Sequence, residues 1–490
     1  MARAPRSGSF GGEMTTRAPL FLLCLITTLL RADSPPLPKI RVASDGRTFV
    51  TESGRSFIPF GVNYYRPGTG WAPQVWKKFD AEATRLDFAR MRELGVNCVR
   101  VFLAFGSFYT EPGRLNTDGF AKLDQFLSIA EASGIYVHPT GPDHWEGVPL
   151  WAQCDRKADE RYLSALETFW KLFAARYRGR TVIFAYDLLN EPVVGWDTPA
   201  MRPKWTEWLH ARYRTPRALT EAWGASASNV VWNAMAIPAA KFAPGSHALS
   251  DFQHFREDVA DEWTRRQTVA IKSADPQALV TVGCIQHTVP ALAHSLQSYA
   301  AFRPERMARR LDFLEIHFYP SGLRGQNDDA QQAALLECGV REMSRANKPV
   351  VLAEFGWHGG GVFKTRSGVE RPVTEEEQAR WCRRAVETTA GWVCGWLNWG
   401  FHDHPEANDL SQLSGLLTVD GRLKLWGREF QSLAACFREP ANLPGIGPRP
   451  ALDWDRCTVD PQAAAAFRDD YCRAFAAEQP AGGKSPTPTK

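Results

Sequence analysis

The run Val350-Val351-Leu352-Ala353-Glu354-Phe355-Gly356-Trp357 decides how the chain reads. Lys348-Pro349 precede it and Gly359-Gly360-Gly361 follow it. An apolar segment of strand length with turn residues at both ends reads as a strand buried on both faces. A carboxylate sits where this strand runs out. An unpaired charge is costly to bury, so Glu354 needs partners or a task. Residues 182–192, Val-Ile-Phe-Ala-Tyr-Asp-Leu-Leu-Asn-Glu-Pro, repeat the form: an apolar strand ends in Asn190-Glu191 and Pro192 stops it.

Outward from these two runs, strand and helix patterns alternate. Strands are expected at 58–65, 96–103, 135–139, 182–190, 278–285, 311–319, 350–355 and 393–401. Helices are expected at 80–94, 118–133, 159–177, 251–273, 328–345, 374–389 and 424–437. Gly95 and Gly134 supply helix stops, and Thr374-Glu375-Glu376-Glu377 reads as a capping box. Eight strands alternating with helices give an α/β chain folded as a (β/α)8 TIM barrel over 57–438. A Pro-rich linker and a β-hairpin with turns at Asp45-Gly46 and Ser53-Gly54 occupy 33–56. A helical insertion, 193–249, follows the fourth strand, with 205–222 at helical spacing. A Pro/Gly-rich stretch opens a C-terminal appendage, 439–481, with a helix near 462–475 and a disordered tail at 482–490.

Composition narrows the partners. A net charge of +4 over 490 residues, with no Lys/Arg block, argues against nucleic acid. The 18 Trp point instead to flat apolar faces for ring-shaped ligands, beside ordinary core packing. Residues 18–30, APLFLLCLITTLL, lie between Arg17 and Arg31-Ala32. The run is shorter than the roughly 20 residues a membrane span needs. It reads as a secretory signal peptide over 1–32, with Met14 as an alternative start; the cleaved protein is expected to be exported and free of the membrane. Loss of Cys24 leaves nine cysteines, an odd number, so at least one thiol stays unpaired within the chain. Cys98, Cys284 and Cys394 read as apolar filler in strands, and Cys457–Cys472 is the best candidate bridge, worth roughly 3 kcal/mol. No His/Cys spacing suggests zinc, and no cofactor is implied. Oligomeric state is left open.

In a TIM barrel the active site forms at the C-terminal ends of the strands. Those ends carry Arg100, His138, Asn190, Glu191, His317, Tyr319, Glu354 and Trp399. Trp145 and Trp357 lie on strand-end loops, where sugar stacking and loop packing are equally open readings. Two carboxylates across a barrel mouth suit glycoside hydrolysis, one attacking the anomeric carbon and the other protonating the leaving oxygen. Glu354 is the candidate nucleophile, with Arg100 and Tyr319 of the right type to hold it ionised. Glu191 is the candidate acid/base, its pKa raised by the neighbouring anion. Asn190 could hold a sugar hydroxyl, and Trp399 could lie under a sugar ring.

As a set, these motifs resemble the retaining glycoside hydrolases of clan A, and most of all family 5, the cellulases and mannanases. The resemblance rests on Asn190-Glu191-Pro192, Glu354, Arg100, His317-Phe318-Tyr319 and Trp399, across about 57–437. The strand-three histidine is open between His138 and His144. The resemblance implies a β-linked mannan or glucan as substrate and no metal. Residues 208–213 and 218–224 in the insertion are similar to the segment after the acid/base strand in family 42 β-galactosidases, which makes terminal β-galactosides the alternative substrate. Two rival readings are a metal-dependent hydrolase using His138, Asp187 and His317, and an inactive carbohydrate-binding barrel.

Overall fold

Three short antiparallel strands precede the barrel: β1 (Ile40–Val42), β2 (Phe49–Thr51) and β3 (Ser56–Phe57). The computed structural model describes residues 36–70, 73–224, 231–320, 329–365, 368–369, 371–438 and 447–478. The expected signal peptide and disordered tail lie outside them. The expected hairpin is thus a three-stranded sheet. The Ser53-Gly54 turn sends the chain back to pair again, Phe49 with Phe57, before it enters the barrel.

The barrel strands are β4 (Phe60–Asn63), β5 (Cys98–Ala104), β6 (Tyr136–Asp143), β7 (Tyr186–Asn190), β8 (Val280–Ile285), β9 (Leu314–Phe318) and β10 (Val350–Phe355). After a small ribbon, β11 (Lys364–Thr365) and β12 (Gly368–Val369), comes β13 (Trp396–Trp399). The eight barrel strands pair in parallel, in chain order, and β13 closes on β4. Phe49 packs edge-on against Phe184 and Phe313 at ring separations of 5.1 and 5.2 Å. With Ile40 and Phe57 it joins buried residues from the strands' N-terminal side, among them Cys98, Tyr136, Leu279, Val351 and Leu397. The N-terminal sheet therefore plugs the end of the barrel opposite the mouth.

Around the barrel run α1 (Ala81–Glu93), α2 (Phe105–Phe108), α3 (Thr117–Ser133), α4 (Glu160–Tyr177), α5 (Met201–Tyr213), α6 (Pro216–Trp223) and α7 (His247–Ala274). They are followed by α8 (Pro304–Met307), α9 (Asp329–Ser344), α10 (Glu375–Thr389) and α11 (Leu425–Cys436). Side-chain caps set several starts: Asp80, Asn116 and Asp159 accept from first-turn amides, and Thr374 with Glu377 forms the expected capping box. The single helix expected over 205–222 is two, α5 and α6. Arg214 turns left-handed (φ 63°), and Thr215 caps a new start with Pro216 at its first turn.

The appendage forms α12 (Trp454–Val459) and α13 (Pro461–Glu478). Cys457 and Cys472 are both free thiols there, contrary to the expected bridge. The appendage needs no staple because it joins the main core: Trp454, Val459, Phe467, Tyr471 and Phe475 are buried in it. Glu337 on α9 receives Arg449 at 2.6 Å and the Tyr471 hydroxyl at 3.0 Å. Among the described residues no helix is long and apolar enough to cross a membrane.

Candidate active site

Both strand-end glutamates follow a break in strand register. One break falls between Leu352 and Glu354 on β10, the other between Asp187 and Asn190 on β7. Such irregularities re-aim the side chains that follow them. Glu191 itself adopts φ 46°, a backbone state that costs a non-glycine residue energy. The two side chains meet at His317. Its Nδ1 lies 3.1 Å from Glu191 Oε1 and 3.5 Å from Glu354 Oε1. One oxygen of each carboxyl falls within 4.8 Å of the other. That is closer than the ~6.5 Å or more that an inverting pair leaves for water, and so fits a retaining pair.

Arg100, fully buried on β5, organises the floor. It donates to Glu354 Oε1 at 2.6 Å, Asn63 Oδ1 at 2.9 Å, Asn190 Oδ1 at 2.8 Å and Asp187 Oδ2 at 2.7 Å. The Tyr319 hydroxyl donates to Glu354 Oε2 at 2.8 Å. The Tyr319 N–H is itself fixed on Gln286 Oε1 at 2.9 Å. The Glu354 pKa is raised: burial lifts it and the Glu191 charge adds to the rise, while His317, Arg100 and the Tyr319 hydrogen bond offset part of it. Burial also holds His317 down to about 4, and its Nδ1 faces the two carboxyls.

Glu191 differs. Burial pushes its carboxyl up to about 7 against the pull of Arg100, and Asp143 adds a further push. The expected cause was the neighbouring nucleophile's charge. The main cause is desolvation, and the repulsion between the two carboxyls shows on Glu354 instead. Asp143, buried at the end of β6, bonds to His144.

Trp399 is nearly buried and donates its indole N–H to Ser411 Oγ at 2.8 Å. It packs with Tyr65 and Phe102, and Trp145 and Tyr319 join the same cluster. Trp145 also stacks on His144 at 4.8 Å. Trp357 stands apart: it is half-buried against the main barrel core, next to His358.

His138 is the main correction. It was expected at the mouth, where β6 was expected to stop at Pro139. The strand continues to Asp143, so the ring lies in a closed layer beneath. Arg100 and His138 are register partners. The long arginine side chain reaches up to Glu354, whereas the short histidine stops at Glu315, at 2.7 Å, and the Ala185 carbonyl oxygen.

Residues absent from the expected site are Asn63, Gln286, Gly283 and Glu315, and Asp187 appears as a partner of Arg100 rather than as a metal ligand. Asn63 ends β4 and obeys the strand-end rule that found the others. Gly283 carries no chemistry, so nothing in sequence marks it. A Cβ there would lie 2.8 Å from both Arg100 Nη2 and Asp187 Oδ2 and 3.1 Å from His317 Nε2. Gly283→Ala is therefore expected to cost about 1–3 kcal/mol of stability. By moving Arg100 it should also lower kcat/KM roughly 10²-fold. A thermal melt with steady-state kinetics checks both, and normal kinetics would show that Arg100 has room to give.

His138, Asp187 and His317 do not form one cluster. Ligand atoms of His138, Asp187 and Glu315 group together, and those of Glu191, His317 and Glu354 group separately. Arg100 already places its positive charge on Asp187 and Glu354, so a metal ion in either group would compete with a buried guanidinium.

A cavity of about 320 Å³ lies beside this floor, between the loop after β8 and the appendage. Gln286 and Phe318 border it on the barrel side, Phe242 comes from the insertion, and Thr458 and Arg468 come from α12 and α13.

The model of the family Cellulase (glycosyl hydrolase family 5) matches residues 50–403. A β-galactosidase of Thermus thermophilus is 28% identical over 291 residues, 54% of this chain; the chain covers only 41% of that protein's length. A probable mannan endo-1,4-β-mannosidase A of Aspergillus flavus is 25% identical over 427 residues, 80% of this chain and 89% of that one. The crystal structure of a GH5_18 protein of Streptomyces cattleya, in complex with Manβ1-4GlcNAc, shares the fold with a TM-score of 0.59 at 20% identity, covering 86% of this chain and 92% of its own. The family match takes in all the barrel strands and both strand-end glutamates, and the chain belongs to glycosyl hydrolase family 5.

Proposed function

We propose that the protein is a retaining β-glycosidase acting on a β-linked mannan or glucan through a covalent glycosyl-enzyme. The observation that carries this reading is the carboxyl pair itself. Glu354 is held by Arg100 at 2.6 Å and by the Tyr319 hydroxyl at 2.8 Å, and it lies within 4.8 Å of Glu191, whose carboxyl burial pushes up to about 7. Glu354 attacks the anomeric carbon as Glu191 protonates the departing oxygen; Glu191 then deprotonates the water that releases the sugar. Asn190, fixed by Arg100, and Trp399 with Trp145 are the side chains offered to a sugar ring, and the buried Tyr65 backs Trp399. The mannanase of Aspergillus flavus, matched over most of both chains, favours mannan. Export, read from residues 1–32, suits a polymer substrate met outside the cell.

Terminal β-galactosides are the second reading, favoured by the Thermus relative. Sugar release from soluble β-mannan, β-glucan and an aryl β-galactoside, with Glu354→Gln as control, tests both. Oligosaccharides from one polymer support the first reading, and release from the galactoside alone supports the second. Silence on all three from folded protein refutes both.

The pH dependence follows from the same pair. Glu191 must be protonated to donate, so kcat/KM is expected to fall about tenfold per pH unit above about 7. An alkaline limb near the ordinary carboxylate range would remove Glu191 from the acid role.

A further inference from the structure

His138 lies beneath the catalytic floor with both ring nitrogens facing acceptors. Nδ1 is 2.9 Å from the Ala185 carbonyl oxygen, which can only accept. Nε2 is 2.7 Å from Glu315 Oε1. A neutral ring with its proton on Nδ1 would turn the Nε2 lone pair onto a carboxylate oxygen at that distance, which is repulsive. The contact therefore needs a second proton. Both residues are fully buried. The rings of Phe184 and Phe313 lie 5.6 and 6.1 Å from the imidazole, and Phe49 of the N-terminal sheet closes on both phenyl rings from below.

We propose that His138 is a positioning residue: as a buried imidazolium paired with Glu315, it cancels a second negative charge under the nucleophile. This rests on the assignment of Glu354 as nucleophile. The titratable groups facing the pair come from every side. Arg100 and Cys98 belong to β5, Asp187 to β7, Cys284 to β8 and His317 to β9, with Glu354 on β10 reached through Arg100 and His317. With His138 charged, Arg100 divides its positive charge between Asp187 and Glu354, and the layer keeps one net negative charge, available for attack. Without it, Glu315 adds another, competes for Arg100 and favours the protonated, unreactive form of Glu354.

The test has two arms. In the wild type, 15N NMR of labelled histidine should show His138 protonated at both nitrogens at pH 7 and above; this arm needs no turnover, so it stands or falls apart from the glycosidase reading. A singly protonated ring at pH 7 overturns the proposal. The second arm is the pH profile of kcat/KM on an aryl glycoside with a leaving group good enough to need no acid. His138→Gln should move the acid limb up by about one pH unit, and His138→Gln with Glu315→Gln should return it towards the wild-type position. A purely structural role would lower the rate and leave the limb in place, and coincident limbs in all three proteins would overturn the proposal.

Discussion

Glu354→Gln is expected to lower glycoside turnover by roughly 10⁶-fold, the scale on which an enzyme loses rate when its nucleophile is removed. Glutamine keeps the size of the side chain and one carbonyl oxygen for Arg100, so the barrel should remain folded. Two things are lost. The attacking oxygen no longer carries charge, and the Tyr319 hydroxyl, which donated to Glu354, must turn to accept from the new NH2 group. The negative charge that helped hold Arg100 is also gone, leaving Asp187 as its remaining carboxylate at hydrogen-bond distance. Sugar release over hours, together with a thermal melt, measures the effect. Retention of even 1% of the rate by a well-folded variant would place the nucleophile elsewhere.

Glu191→Gln should behave differently, because its job depends on the substrate. For a natural glycoside, whose leaving alkoxide needs a proton, kcat/KM should fall about 10²–10⁴-fold. For a dinitrophenyl glycoside the first step should stay near the wild-type rate. Hydrolysis of the glycosyl-enzyme, which needs Glu191 as base, then becomes limiting, so a burst of phenol should precede a slow steady state. Added azide, a nucleophile that needs no base, should speed that slow phase and yield a glycosyl azide with the configuration of the substrate. The alkaline limb near pH 7 should vanish with the carboxyl. Equal losses on both substrate types would mean that Glu191 supports geometry rather than proton transfer.

Sequence made the barrel legible because burial on two faces writes continuous apolar strands, and polar residues interrupt them only where they leave the core. That contrast located Arg100, Asn190, Glu191, His317, Tyr319 and Glu354, all of which meet in one hydrogen-bonded group. It could not show depth. His138 and Arg100 sit at the same level, and only side-chain length separates a residue at the floor from one beneath it. Nor could it show that Glu315, one alternation below His317, points into the barrel and makes an ion pair there. Gly283 was invisible because its contribution is the absence of a side chain. The Cys457–Cys472 expectation failed because the tail's apolar residues looked too few for a core of their own, whereas they complete one that already exists.

The plug at the base of the barrel also constrains the order of assembly. Phe49 and Ile40 are buried with Cys394 and Leu397, and nearly the whole barrel lies between them in sequence. The first apolar residues of the plug to be synthesised cannot reach their final neighbours until the closing strand exists. Contacts of such long sequence separation form late and slowly. On the way to the native state the chain thus carries an exposed aromatic edge at its start, and truncation before β13 should leave that edge open to association with other chains.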